Sequence, residues 1–197
     1  MFKLPQGFVW ERGIIPPGRS GLFEVTHSDD PVVTSLFYNG GEIMTDRELE
    51  AATHGKVYDA NLFGNVLIGG LGIGFINQFL ILNQNITSVV ILEKFAEVME
   101  LTWPYCKRDN RFELIIADAE TWQPDRHFNF AWFDSWIQHN PLSLDEYTEL
   151  MRERYSSHCD VIEFWVDEMV ELGFTCDRPE GNAHSFIPVD DKYRAKT

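Results

Sequence analysis

Basic residues are scarce in this chain of 197 residues: 16 lysines and arginines stand against 31 aspartates and glutamates, a formal net charge of −15. A surface of that sign repels phosphate backbones and anionic membranes unless its bases cluster. The dense basic spots, Lys107-Arg108 and Arg152 with Arg154, each lie beside acids. Nucleic acid and membrane are therefore not expected as partners, and a cationic or small neutral substrate is easier to accommodate. Cysteine is equally sparse. Cys106, Cys159 and Cys176 form neither a C-x-x-C pair nor a disulfide framework, and read as buried free thiols in a reducing, cytoplasmic setting. The longest apolar run, Val66 to Ile76, is about half the ~20 residues that span a bilayer. "MFKLPQGFVW" has no continuous apolar core or small-residue cleavage site, so no secretory signal is expected. Repeats and low-complexity tracts are missing too. No His/Cys/carboxylate cluster has metal-ligand spacing, and there is no G-x-S-x-G elbow, so neither a metal nor that nucleophile is expected.

What is present suits a folded α/β domain. Hydrophobic residues make up 44% of the chain, too many for a disordered polymer. Residues 1–44 are expected to form an N-terminal arm and β-hairpin region: prolines and glycines punctuate the first twenty residues, and "LFEVTH" and "VVTSLFYN" flank a Ser28-Asp29-Asp30-Pro31 turn signal. Residues 45–197 are expected to form a second, Rossmann-like unit. "TDRELEAATH" carries the capping-box pattern, Thr45 with Glu48, and predicts a helix starting there. From Gly64 strands and helices alternate. "NVLIGG", "SVVILE", "FELIIAD" and "FNFAWFD" are apolar runs of the kind buried on both faces of a parallel sheet. "GFINQFLILNQ", "FAEVMELTWPYC" (stopped by Pro104) and "SLDEYTELMRERYSS" (capped by Ser143) predict helices between or after them. This order argues a doubly wound, mostly parallel sheet. "CDVIEFWVDEMVELG" reads either as a fifth strand running into a helix or as one helix. The tail supplies at most one short strand, so the sheet is expected to be truncated at its C-terminal end.

Glycines at 69, 70, 72 and 74 interrupt the apolar run after the first parallel strand. They mark either a tight structural turn or a place where backbone approaches a ligand closely. Gly70, Gly72 and Gly74 form GxGxG. The dinucleotide fingerprint needs Gly or Ala at its last position, but Phe75 or Asn77 stands there, and no Gly-Lys-Ser/Thr follows as in a phosphate-binding loop.

GxGxG after strand one, with an acid ending strand two, resembles class I S-adenosylmethionine-dependent methyltransferases. With the hairpin region, the short helix and the acids ending "VVILEK", "ELIIADAETW" and "FNFAWFDSW", the sequence is most similar to the spermidine synthase-like branch, over roughly residues 20 to 140. The resemblance implies S-adenosylmethionine as cofactor. Gly70, Leu71, Gly72 and Gly74 would pass close to its methionyl and ribose parts. Glu93 would accept from both ribose hydroxyls, with Lys94 and Phe95 flanking ribose and adenine. Asp118 and the Ala119 amide would meet the adenine edge. Asp134 would face the sulfonium and orient or deprotonate an amine nucleophile. Purely structural roles also exist: an exposed strand-end acid for Glu93, an Asx turn at Asp118, a helix cap at Asp134.

Two departures weigh against polyamine synthesis. The glycine loop lacks the acid of that branch's "GGGDGG", and Ile137 stands where a second Asp is expected. Methyl transfer to a small, amine-bearing or neutral acceptor is the expectation, with aminopropyl transfer or a non-catalytic nucleoside- or partner-binding relative as alternatives. Two missing final strands would expose a sheet edge and favour a homodimer.

Overall fold

The computed structural model describes residues 9–29, 32–59, 61–135, 141–167, 174–177 and 185–188. At the N-terminal end, β1 (Gly18–Ser20), β2 (Phe23–His27), β3 (Thr34–Tyr38) and β4 (Gly41–Thr45) form an antiparallel sheet in sequential order. The sequence predicts only the β2–β3 hairpin. The other two strands are added on its flanks, one from a segment expected to be an irregular arm. The β3–β4 turn is Asn39-Gly40, with φ of 49° and 82°. An Asn-Gly pair with both angles positive makes a two-residue turn whose twist matches the strands it joins.

Helix α1 (Glu48–Asp59) begins three residues later than the capping-box pattern suggests. Strand pairing claims Thr45 first, opposite Ser35. The ladder then runs on through Asp46, whose amide donates to the Thr34 carbonyl at 3.1 Å and whose Oδ1 accepts from the Thr34 amide at 2.9 Å. Thr45 Oγ1 caps only the Arg47 amide.

The parallel sheet is built from β5 (Gly64–Gly69), β6 (Ile86–Glu93), β7 (Phe112–Ile116), β8 (Phe130–Phe133) and β9 (Ile162–Phe164). Their order is β7-β6-β5-β8-β9 and every pair is parallel. Alternation along the strands explains burial on both faces. Val66, Ile68, Val89, Ile91, Phe130 and Trp132 enter one core, shared with the N-terminal sheet and α1. Leu67, Val90, Leu92, Ala131 and Phe133 enter the other, against α4 (Leu144–Tyr155). Ser143 caps α4 as predicted, and the structure completes a capping box, with the Glu146 amide donating to Ser143 Oγ and the Ser143 amide donating to Glu146 Oε2.

Helix α2 (Asn77–Leu80) is far shorter than "GFINQFLILNQ" suggests. Gly74, with φ of 61°, delays its start, and Asn83 ends it by accepting from the Asn85 amide and donating to the Leu62 carbonyl. Helix α3 (Ala96–Thr102) passes at Pro104 into one 3-10 turn, Trp103–Tyr105. "CDVIEFWV" resolves as a strand followed by helical residues 165–167.

Beyond it the tail holds two strands rather than one. Here β10 (Phe174–Asp177) pairs antiparallel with β11 (Ser185–Pro188) in a sheet of their own. The reason is elementary: two short β-prone runs flanking a Pro-, Gly- and Asn-rich stretch satisfy each other's backbone groups. Among the described residues the parallel sheet therefore stops at five strands, with β7 and β9 as its edges. No helix among them is long and apolar enough to cross a membrane.

Candidate functional site

A cavity of about 330 Å³ lies between the N-terminal sheet and the C-terminal ends of β5, β6, β7 and β8. That is where an open α/β sheet binds ligands, beside the point at which strand order reverses. Its roof is apolar: Phe23, Leu36, Tyr38, Ile43 and Met44 come from β2, β3 and β4. Phe23, Tyr38 and Phe95 pack as an aromatic trio, with ring centroids 4.9 Å apart for Phe23–Tyr38 and Phe23–Phe95. The floor carries the polar groups, and they come from strand ends: Gly70, Glu93, Lys94, Asp118, Asp134 and Ser135.

Glycine is required in this floor for reasons the structure makes specific. Gly70 has φ of 100°, and a Cβ there would lie 2.5 Å from the backbone carbonyl oxygen of Asp134. Gly72 has φ of 51°, and its missing Cβ is replaced by the Met44 sulfur. The loop is thus tight by conformation and open to the cavity at Gly70 and Gly72. Gly74 is different. It does not line the cavity, and the place of its Cβ is taken by Cys106. Leu71 is buried and also stays out of the cavity wall; its contribution is an amide.

That amide goes to Glu93. Leu71 N donates to Glu93 Oε2 at 3.0 Å, and Phe95 N donates to Glu93 Oε1 at 2.8 Å. Glu93 is 6% exposed. Burial pushes its carboxyl above the ordinary value, while the amides of Phe95, Leu71, Gly72 and Lys94 pull it back. Of these amides, those of Leu71 and Phe95 stand at hydrogen-bond geometry, one to each oxygen, and a carboxylate has about four lone-pair positions, so acceptor capacity remains toward the cavity. The exposed strand-end alternative for Glu93 is excluded by its burial.

At the end of β7, Asp118 combines both roles considered for it. It lines the cavity, and it makes an Asx turn in which Oδ1 accepts from the Glu120 amide at 3.0 Å. Lys94 Nζ pairs with Asp118 Oδ2 at 2.7 Å, and that hydrogen bond holds the Lys94 ammonium above its usual range. Ala119, beside it, lines the cavity, and its carbonyl accepts from Tyr155 Oη at 2.8 Å.

After β8, the Asp134 amide donates to the Gly69 carbonyl at 2.8 Å, which fixes the loop against β5. The Asp134 carboxyl is pushed well above the carboxylate range, first by desolvation and then by the nearby charge of Glu50. Glu50, on α1, accepts from Trp165 Nε1 at 3.2 Å and is itself raised to about 7, chiefly by burial. Sequence reasoning missed Glu50, since nothing local distinguishes one acid of "RELE" from the next. It also missed the roof residues, Ser135 and Tyr155. Ile137 lies outside the described residues. Trp132 is core, and His127 is exposed, paired with Asp160 at 2.8 Å.

Among the described residues that line the cavity, Glu93, Asp118, Glu120 and Asp134 face one cation, Lys94. The balance favours a cationic or hydroxyl-rich ligand over an anionic one.

Comparison with known proteins agrees with this architecture. No protein-family model matches the sequence, and a search of curated proteins returned no significant match. Solved structures do match. A spermidine synthase in complex with the transition-state analogue AdoDATO aligns with TM-score 0.56 and 17% identity, covering 73% of this chain and 53% of that one. The spermidine synthase of Thermotoga maritima aligns with TM-score 0.50 and 17% identity, covering 73% of this chain and 63% of that one. The chain has the α/β Rossmann-like fold of these transferases, with the small antiparallel sheet before it. The matched region spans less than two thirds of either structure's length.

Proposed function

We propose that the chain is an S-adenosylmethionine-dependent methyltransferase acting on a small acceptor, amine-bearing or neutral. One observation carries this reading. A buried acid at the end of β6, held by amides of the glycine loop and of its own strand end, keeps acceptor capacity toward an acid-lined cavity. The chemistry matches an adenosyl group, whose ribose offers two adjacent hydroxyl donors.

The residues fit the rest of the cofactor as well. Glu93 would take the ribose hydroxyls. Asp118 would accept from the adenine amino group, with Lys94 adjusting to the base, and the Ala119 amide would donate to a ring nitrogen. Gly70 and Gly72 line the part of the cavity where the methionyl portion would lie. When bound, S-adenosylmethionine supplies a carbon made electrophilic by its sulfonium. The protein's part is to hold the acceptor in line with that carbon and to exclude water, which the apolar roof does. Asp134 stands at the acceptor end. Burial favours the protonated form of its carboxyl, which could orient an acceptor by hydrogen bonding, while its ionised form would take the proton of an amine nucleophile.

Aminopropyl transfer is the second reading, and a specific observation favours it. Lys94, the cation among the described lining residues, is engaged by Asp118, so it is not placed to pair with the carboxylate of intact S-adenosylmethionine. A decarboxylated sulfonium would need no such partner. The fold shared with spermidine synthases points the same way.

Calorimetric titration of the chain with S-adenosylmethionine, its decarboxylated form and methylthioadenosine tests both. Preference for the intact form supports methyl transfer. Tight binding of the decarboxylated form alone replaces it with aminopropyl transfer. Failure to bind any of the three removes the enzyme reading and leaves a partner-binding relative.

A further inference from the structure

Helix α4 places Tyr147, Met151 and Tyr155 four residues apart on one face, and all three are buried. Eight residues of helix separate the two phenols by about 12 Å, enough to reach two different strand-end loops. Tyr147 Oη hydrogen-bonds Ser135 Oγ at the Asp134 end of the cavity. At the other end Tyr155 Oη donates to the Ala119 carbonyl at 2.8 Å.

The second contact is the more constraining. The peptide that joins Ala119 to Glu120 is held at its carbonyl by Tyr155 and at its N–H by Asp118 Oδ1. A peptide bonded at both ends cannot rotate without breaking a buried hydrogen bond. Its N–H is the group that holds the Asp118 carboxylate, so its orientation sets where that carboxylate sits beside the Ala119 amide of the preceding peptide, whose own carbonyl accepts from the Thr121 and Trp122 amides. The Asp118 carboxylate and the Ala119 amide, an acceptor beside a donor, complement the edge of a 6-aminopurine. A 6-oxopurine presents its carbonyl oxygen to the carboxylate instead.

We propose that Tyr155 is a positioning residue for base selection: it touches no ligand, but by pinning the Ala119–Glu120 peptide it makes the cavity prefer a 6-aminopurine nucleoside over its 6-oxo counterpart. This inference rests on the nucleoside assignment above. Phenylalanine at 155 would keep the ring, whose centroid lies 4.9 Å from that of Phe133, and remove only the hydroxyl.

The test is a titration of the full chain with S-adenosylhomocysteine and S-inosylhomocysteine, repeated for Tyr155→Phe and Tyr147→Phe. The unmutated chain should prefer the amino compound at least tenfold, and Tyr155→Phe should bring the preference within about threefold. Tyr147→Phe loses a matched buried phenol on the same helix face and should keep the preference. In the unliganded chain the Glu120 amide should exchange hydrogen faster in Tyr155→Phe than in Tyr147→Phe. An unchanged preference in Tyr155→Phe, equal loss in both variants, or equal exchange overturns the assignment of Tyr155 alone. If the unmutated chain binds neither nucleoside, the nucleoside reading itself falls, and base selection with it.

Discussion

Truncating Glu93 to alanine removes the group on which the cavity turns, and its consequences can be worked out separately for fold and ligand. In the folded chain the carboxylate accepts from the Leu71 and Phe95 amides. Leaving each buried donor unpaired costs about 1–3 kcal/mol. Part of that is offset, because the carboxylate is itself desolvated and its carboxyl lies above the ordinary value. A net stability loss of about 2–4 kcal/mol is expected, read as a lower urea midpoint without ligand. Ligand binding should suffer independently. Two ribose hydroxyls lose a charged acceptor, a loss of about 1.5–3 kcal/mol, or roughly tenfold to a hundredfold in affinity for S-adenosylhomocysteine. The titration is run at a temperature where the variant is fully folded, so that the two effects do not mix. A fall in stability with unchanged affinity would refute the ribose assignment and leave Glu93 a brace for the glycine loop. Unchanged stability would instead refute the amide bonds.

Asp134→Asn should leave nucleoside binding nearly intact and slow turnover by about 10²–10⁴-fold, the range of a lost general base; normal turnover in a methyl- or aminopropyl-transfer assay would demote it to a loop residue. Gly72→Ala should destabilise the chain by about 1–3 kcal/mol, since φ of 51° disfavours any side chain and the Met44 sulfur occupies the space. In a Met44→Ala background the steric share should vanish and the conformational share remain, which a double-mutant cycle of denaturation midpoints measures. Glu50 supplies a pH test. Its carboxyl moves from 4.5 to about 7 on folding, so the folded chain keeps a proton that the unfolded chain has released. That contribution is complete below about 4.5 and is lost as pH rises through about 7. Stability should therefore fall across this window, with Asp134 acting in the same direction, and Glu50→Gln should flatten the fall. Parallel pH curves for the two proteins would show that Glu50 is not buried as described.

The core elements were legible because their signals are local. An all-apolar run such as "VVILE" has few places to go except between two layers, and Ser143 with Glu146 caps its own helix. The failures are equally instructive. "TDRE" carries a genuine capping pattern, yet Thr45 went to a strand because β3 was there to pair with it. "GFINQFLILNQ" reads as one helix, but Gly74 and Asn83 trim it to one turn. The tail's second strand needed a partner ten or so residues away, and a single run gives no sign that one exists.

By itself the sequence determined the strand-and-helix order from β5 to α4, the acids that end β6, β7 and β8, and the glycines that follow β5. These depend on residues within a few positions of each other, where period and backbone preference act directly. Only the tertiary structure decided which glycine does what: Gly70 against the Asp134 backbone, Gly72 beneath Met44, Gly74 against Cys106. It alone placed Glu93 on the Leu71 amide, Glu50 near Asp134 and Tyr155 on Ala119. Those pairs are far apart along the chain, and their energies arise from burial and close approach, which exist only once the layers have packed.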